Sequence, residues 1–125
     1  MMRTVALALL LAAHAGVTPA QAVREVTWTG WFSDKGCARI RDGEVGPSGT
    51  ACVKKCLAEG AQAVFLSEQA KAIFDVRDYP AVKDDVGFRV EITAMLDEDA
   101  KTVSVKSVKH LSEVVSMCAL PRKKG

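Results

Sequence analysis

The residues of this sequence with chemistry to offer are four cysteines: Cys37, Cys52, Cys56 and Cys118. Cys52 and Cys56 stand four apart in Ala51-Cys52-Val53-Lys54-Lys55-Cys56. In a helix that spacing puts both thiols on one face, together with Val53 and Leu57. Disulfides are the first expectation, because an even cysteine count in a small exported chain favours them. Cys52 and Cys56 are poor partners for each other, since their Cβ vectors run nearly parallel on a helix. The simplest arrangement joins Cys37 to one of them and Cys118 to the other, in either order. The alternative is a thiolate metal site. Cys37, Cys52 and Cys56 can present three sulfurs to a soft ion, Cu(I) or Zn²⁺, with His110 or Cys118 as a fourth ligand. Against it stands the absence of the C-x-x-C spacing common in zinc sites. A thiol oxidoreductase comes third, because C-x-x-x-C is not the thioredoxin motif.

Other polar residues support blander roles. Asp34 caps the turn before Cys37. Asp97-Glu98-Asp99 lacks the glycine and distal glutamate of a calcium loop and fits a solvated hairpin tip. Trp31 points off the core face and is expected to pack beneath the cysteine helix. His110 is the one histidine outside the leader, since His14 lies within it. No nucleophile with a paired base and no carboxylate dyad is in view, so no catalytic residue and no enzyme activity is expected.

These groups need elements to hold them. Val23 to Asp34 alternates, with Val26, Trp28, Gly30 and Phe32 on one face, and predicts a half-buried strand. Gly30 in its middle suggests a bend of the kind barrel strands need. Residues 35–50 predict an irregular loop. A helix follows, with Thr50 as its cap and Gly60 as its left-handed stop. At about ten residues it is marginal alone and needs packing or a covalent tie. Ala61 to Ser67 and Lys71 to Val76 predict two strands joined at Glu68-Gln69-Ala70. A short turn or helix around Pro80, Ala81 and Val82 ends at Gly87. Phe88 to Asp97 is the clearest strand, with Phe88, Val90, Ile92, Ala94 and Leu96 on one face. Lys101 to His110 is the last, with Val103 and Val105 inward. The apolar phase then moves to Val108, which predicts a bulge. Five strands and one main helix predict a mainly β fold: a small five-stranded OB-like barrel with a short cysteine-bearing helix inserted after strand one. An open α+β sheet is the alternative.

Arg3, the apolar run Val5 to Ala13 and Ala20-Gln21-Ala22 have the form of a secretory signal peptide over residues 1–22, with Val23 as the mature start. The run is too short to span a bilayer. The expected organisation is the signal, one OB-like domain over 23–120 and a disordered basic tail over 121–125. Localisation is then periplasmic or secreted, with no membrane association after cleavage. The mature part carries 16 Lys+Arg against 15 Asp+Glu, a net charge of +1. That balance, with few aromatic rings, argues against nucleic acid as a partner.

Several stretches resemble a family of small exported bacterial domains of unknown function. Thr29-Gly30-Trp31-Phe32-Ser33-Asp34-Lys35-Gly36-Cys37 resembles their "TGWISDSxC" opening. Ala51 to Cys56, with Gly60 and Val64-Phe65, resembles "xCVKKCxxxGxxxVF". Val82 to Thr93 and Thr102 to Val108 resemble their later strands, with Ala94 where the family has Gly. The resemblance covers nearly all of residues 26–109 and leaves Cys118 outside. It implies an OB-like barrel and no particular activity. The function expected is an exported, non-catalytic binding or structural module of unknown ligand or protein partner, stapled by disulfides and needing no cofactor. The alternative is a small Cu(I)- or Zn²⁺-binding protein.

Overall fold

The computed structural model describes residues 23–114. The expected signal peptide, Cys118 and the basic tail lie outside the described residues. Within them, nine elements follow in order. They are β1 (Val23–Asp34), β2 (Ile40–Arg41), β3 (Glu44–Val45), α1 (Thr50–Ala58), β4 (Ala63–Ser67), β5 (Ala72–Arg77), α2 (Val82–Asp85), β6 (Phe88–Asp97) and β7 (Thr102–Glu113). The fold is mainly β, as the alternation predicts. Five strands close a ring in the order β1-β4-β5-β7-β6, the Greek-key arrangement of an OB-like barrel.

β1 makes the ring close. Its first part, Val23 to Gly30, pairs with β6, and its second, Gly30 to Asp34, pairs with β4. Gly30 belongs to both ladders, opposite Val90 on one side and Ser67 on the other. The predicted bend falls there for a steric reason: a Cβ on Gly30 would be driven into the main-chain oxygen of Leu66. β7 supplies the parallel pairing, Val76 against Val103, that seals the ring against β5.

The inward residues are those the period of two selects. Val26, Trp28, Phe32, Phe65, Phe74, Val90, Ile92, Ala94, Leu96 and Val103 form one buried cluster. Trp28 lies 4.9 Å from Phe74, and Phe32 meets Phe65 edge-on at 5.4 Å. β7 keeps Val105 and Val108 against this core by shifting register between them, opposite Thr93/Ala94, and shifts again beyond them, opposite Arg89/Val90. The first shift is the bulge the sequence predicts between Val105 and Val108. The strand also runs three residues beyond His110, and Leu111 there is exposed.

The segment 35–50 departs from an irregular loop. Asp42 and Gly43 both have positive φ and join β2 to β3 as a two-residue hairpin. Ala38 is buried, and Val45 packs with it on Val64, Leu66 and Ile73, the outer face of the β4–β5 ladder. So β4 is covered on both sides, with Phe65 inward and Val64 and Leu66 beneath the hairpin. Trp31 is half-buried and joins neither cluster; Val53 and Leu57 of α1 reach the barrel core instead.

At the α2 end, Asp85 is buried between two partners. Tyr79 Oη donates to its Oδ2, and His110 Nε2 lies 2.6 Å from its Oδ1. The His110 ring stacks on Phe88 at 4.0 Å. Burial first, and then the bond to Asp85, push the Tyr79 hydroxyl up to about 12. The unfolded hydroxyl titrates near pH 10. Its folded pKa is therefore raised, so the associated stability is intact below about pH 10 and is lost as pH climbs toward 12. Tyr79→Phe should melt slightly lower at neutral pH, by about 1 kcal/mol for the lost hydrogen bond, and decline less steeply above pH 10. Melting curves against pH check this; parallel declines in both proteins would contradict it.

Candidate thiolate metal centre

Cys37 is placed by a turn at the end of β1. Asp34 Oδ1 accepts from the N–H of Gly36 at 2.9 Å and of Cys37 at 3.1 Å, the cap the sequence predicts. The Asp34 carbonyl accepts from Ala38 N–H at 2.9 Å, which folds the chain tightly behind the thiol. Ser48 ties the far side of the segment to this turn. Its Oγ lies 2.7 Å from Ser33 Oγ and donates to the Cys37 carbonyl at 3.4 Å.

Cys52 and Cys56 are placed by α1. Thr50 is not its cap. Gly49 takes that position with no side-chain hydrogen bond, and Thr50 turns instead toward Gly87. The other end stops as expected: Gly60 has φ +95°, its N–H donates to Leu57 O, and Ala61 N–H donates to Cys56 O. That is the paired Schellman closure. Val53 is fully buried in the barrel core and fixes the rotation of the helix. Positions 52 and 56 flank it and face Cys37.

The sulfurs converge as a result. The Sγ atoms of Cys37, Cys52 and Cys56 all lie within 4.8 Å of one another, and those of Cys37 and Cys52 are 3.5 Å apart. None is at disulfide bonding distance. Cys52 is exposed, and Cys37 and Cys56 are half-buried. Of the sequence-predicted ligands, His110 is not in this group; its imidazole is taken by Asp85 and Phe88.

Asp34 gives the site its electrostatics. The residue is 1% exposed, yet its Oδ2 has no hydrogen-bond partner among the described residues. A buried carboxylate oxygen without a donor or cation is costly. Its charge is felt by the sulfurs. The Cys37 thiol is held far above its ordinary range, first by the Asp34 carboxylate beside it, then by burial and by Cys52. The Cys56 thiol is pushed up by burial and then by the Asp34 charge. In the metal-free protein Asp34→Asn should therefore lower the pH at which Cys37 ionises, while the amide oxygen keeps the turn bonds. Alkylation of Cys37 in the reduced protein, followed by peptide mass spectrometry from about pH 7 to pH 10, should speed up at a lower pH in the variant. An unmoved profile would contradict the role given to Asp34.

Chemically, the arrangement offers three sulfur donors, a buried anion beside them and an exposed side at Cys52. The thiols' neighbours that could act on them, among the described residues, are Asp34 and the other two sulfurs. Sequence spacing found the three cysteines and the Asp34 turn. It missed the burial of Asp34 against the sulfurs, and it missed Arg39 and Arg41 in the cleft next to them. Comparison of the chain with protein-family models, curated proteins and solved structures finds no match.

Proposed function

We propose that the chain is an exported, non-catalytic binding module whose ligand is one soft metal ion, Zn²⁺ or Cu(I), held by Cys37, Cys52 and Cys56. The observation that carries this is the convergence of three sulfurs beside a buried, half-partnered carboxylate. Each thiol gives up its proton on binding, and the ion's charge compensates both the thiolates and Asp34. Little movement is needed. Sulfurs bonded to zinc at about 2.3 Å in a tetrahedral set lie about 3.8 Å apart, against the 3.5 Å to 4.8 Å separations in the protein. The ion would also tie α1 to the end of β1, the fastening that a nine-residue helix lacks on its own.

A second reading has its own observation. Cys37 and Cys52 are close enough that a small rotation would let them bond. That staple leaves Cys56 unpaired among the described residues, which is why three convergent sulfurs favour the metal. Titration of the reduced protein with Co²⁺ separates the two. The metal site predicts thiolate-to-cobalt charge-transfer absorption that saturates at one equivalent and is abolished by Zn²⁺. It also predicts stabilisation by about 4 kcal/mol at a thousandfold excess over Kd. Absorption that never develops, or that grows without a defined endpoint, would leave the disulfide as the better account.

A further inference from the structure

Beside the sulfurs lies a cleft of about 660 Å³, bounded by the Cys37 turn, the β2–β3 hairpin and the start of α1. That volume suits a small molecule. Cys37 and Cys52 line it, and Cys56 does not. Arg39 and Arg41 line it as well. Arg39 gives one N–H to the Ala38 carbonyl, and neither guanidinium is in an ion pair among the described residues. The one acid in the lining, Glu44, has its Oε1 3.4 Å from Lys71 Nζ. The cleft is therefore cationic, with two forks of the kind that grip carboxylates.

Three protein thiolates leave a fourth position on a tetrahedral ion. Two of the three ligand residues front the cleft, so an external donor arrives from there. A soft ion prefers sulfur, and the cleft prefers negative charge. We infer that the cleft takes a low-molecular-weight anionic thiol. Its sulfur, giving its proton to solvent, fills the fourth position, and its carboxylates lie on Arg39 and Arg41. This rests on the metal site proposed above.

The test uses the mature protein loaded with Co²⁺ and three probes: mercaptosuccinate, the neutral 2-mercaptoethanol, and succinate, which has no sulfur. Cobalt uptake is read first; its failure sinks the metal site, and this proposal with it, before any thiol is added. With cobalt bound, mercaptosuccinate should shift the cobalt bands and bind roughly tenfold more tightly than 2-mercaptoethanol, as two partly exposed charge pairs allow. Succinate should compete weakly without adding a charge-transfer band. Mercaptosuccinate is also the better chelator in water, so the decisive arm is the double variant Arg39→Gln/Arg41→Gln. It should bind Co²⁺ as the parent does and lose most of the preference. A preference that survives the double substitution, or equal affinity for both thiols in the parent, overturns the proposal. Bands that neither thiol shifts mean that a group of the protein, Cys118 included, closes the fourth position, and overturn it equally. Stripping of cobalt from the protein by mercaptosuccinate, read after gel filtration, counts against it too.

Discussion

Cys52→Ser or Cys56→Ser is expected to cut the affinity of the reduced protein for Zn²⁺ by on the order of a hundredfold or more. A structural zinc site releases about 10–16 kcal/mol in total. Shared over three or four ligands, that is roughly 3 kcal/mol for each sulfur, and a serine hydroxyl does not ionise to replace it. The two substitutions should act alike because both side chains are set by one buried residue, Val53. Lys54→Ser, on the exposed face of the same helix, should leave affinity within about twofold. Competition against a zinc chelator of known affinity gives the numbers. The disulfide account predicts another pattern: Cys37→Ser and Cys52→Ser destabilise the oxidised protein while Cys56→Ser does not. Near-equal zinc affinities across all four proteins would remove the metal site.

Gly30→Ala is expected to prevent the barrel from closing. The added methyl would occupy the position of the Leu66 carbonyl oxygen and come within 3.0 Å of Phe65 Cζ. The first obstacle is backbone, so no rotamer change relieves it. Relief requires separating β1 from β4 at the residue where β1 also leaves β6. The cost should exceed about 4 kcal/mol, among the largest for a single substitution, and in a domain this small that is a large share of the total. Loss of a cooperative melting transition, or a drop in Tm of more than about 20 °C, is the expected result. A variant that melts close to the parent would mean that the ring does not close at Gly30.

The barrel was legible because most of its strands bury one face only. β6 shows the period of two without interruption: Val90, Ile92, Ala94 and Leu96 are buried as predicted, while Phe88 at its start is half-buried. β4 was harder. Its alternation separated Phe65 from Val64 and Leu66, but nothing local says that a hairpin covers the outer pair. That hairpin carries no strand signal although Asp42-Gly43 is a strong two-residue turn, because its two-residue strands are too short to show a period. Thr50 has the chemistry of a cap, yet its place against Gly87 is a contact across the fold that sequence does not display. The same holds at the site. The i, i+4 spacing put two sulfurs on one face, and Asp34 was placed in its turn. The burial of Asp34 depends on ring closure, and the place of His110 opposite Val90 lies next to the second β7 register shift, which no apolar phase change marks.

The central claim is that Cys37, Cys52 and Cys56 are thiolate ligands of one ion. Native and denaturing mass spectrometry of the protein recovered from the cells that make it, with alkylation at the moment of lysis, tests it most directly. The account predicts a native mass heavier than the denatured chain by one zinc or copper ion. It also predicts that, after unfolding, all three of these cysteines take up the alkylating label. A native mass equal to the bare chain, with Cys37 and Cys52 protected from the label until reductant is added, would contradict it.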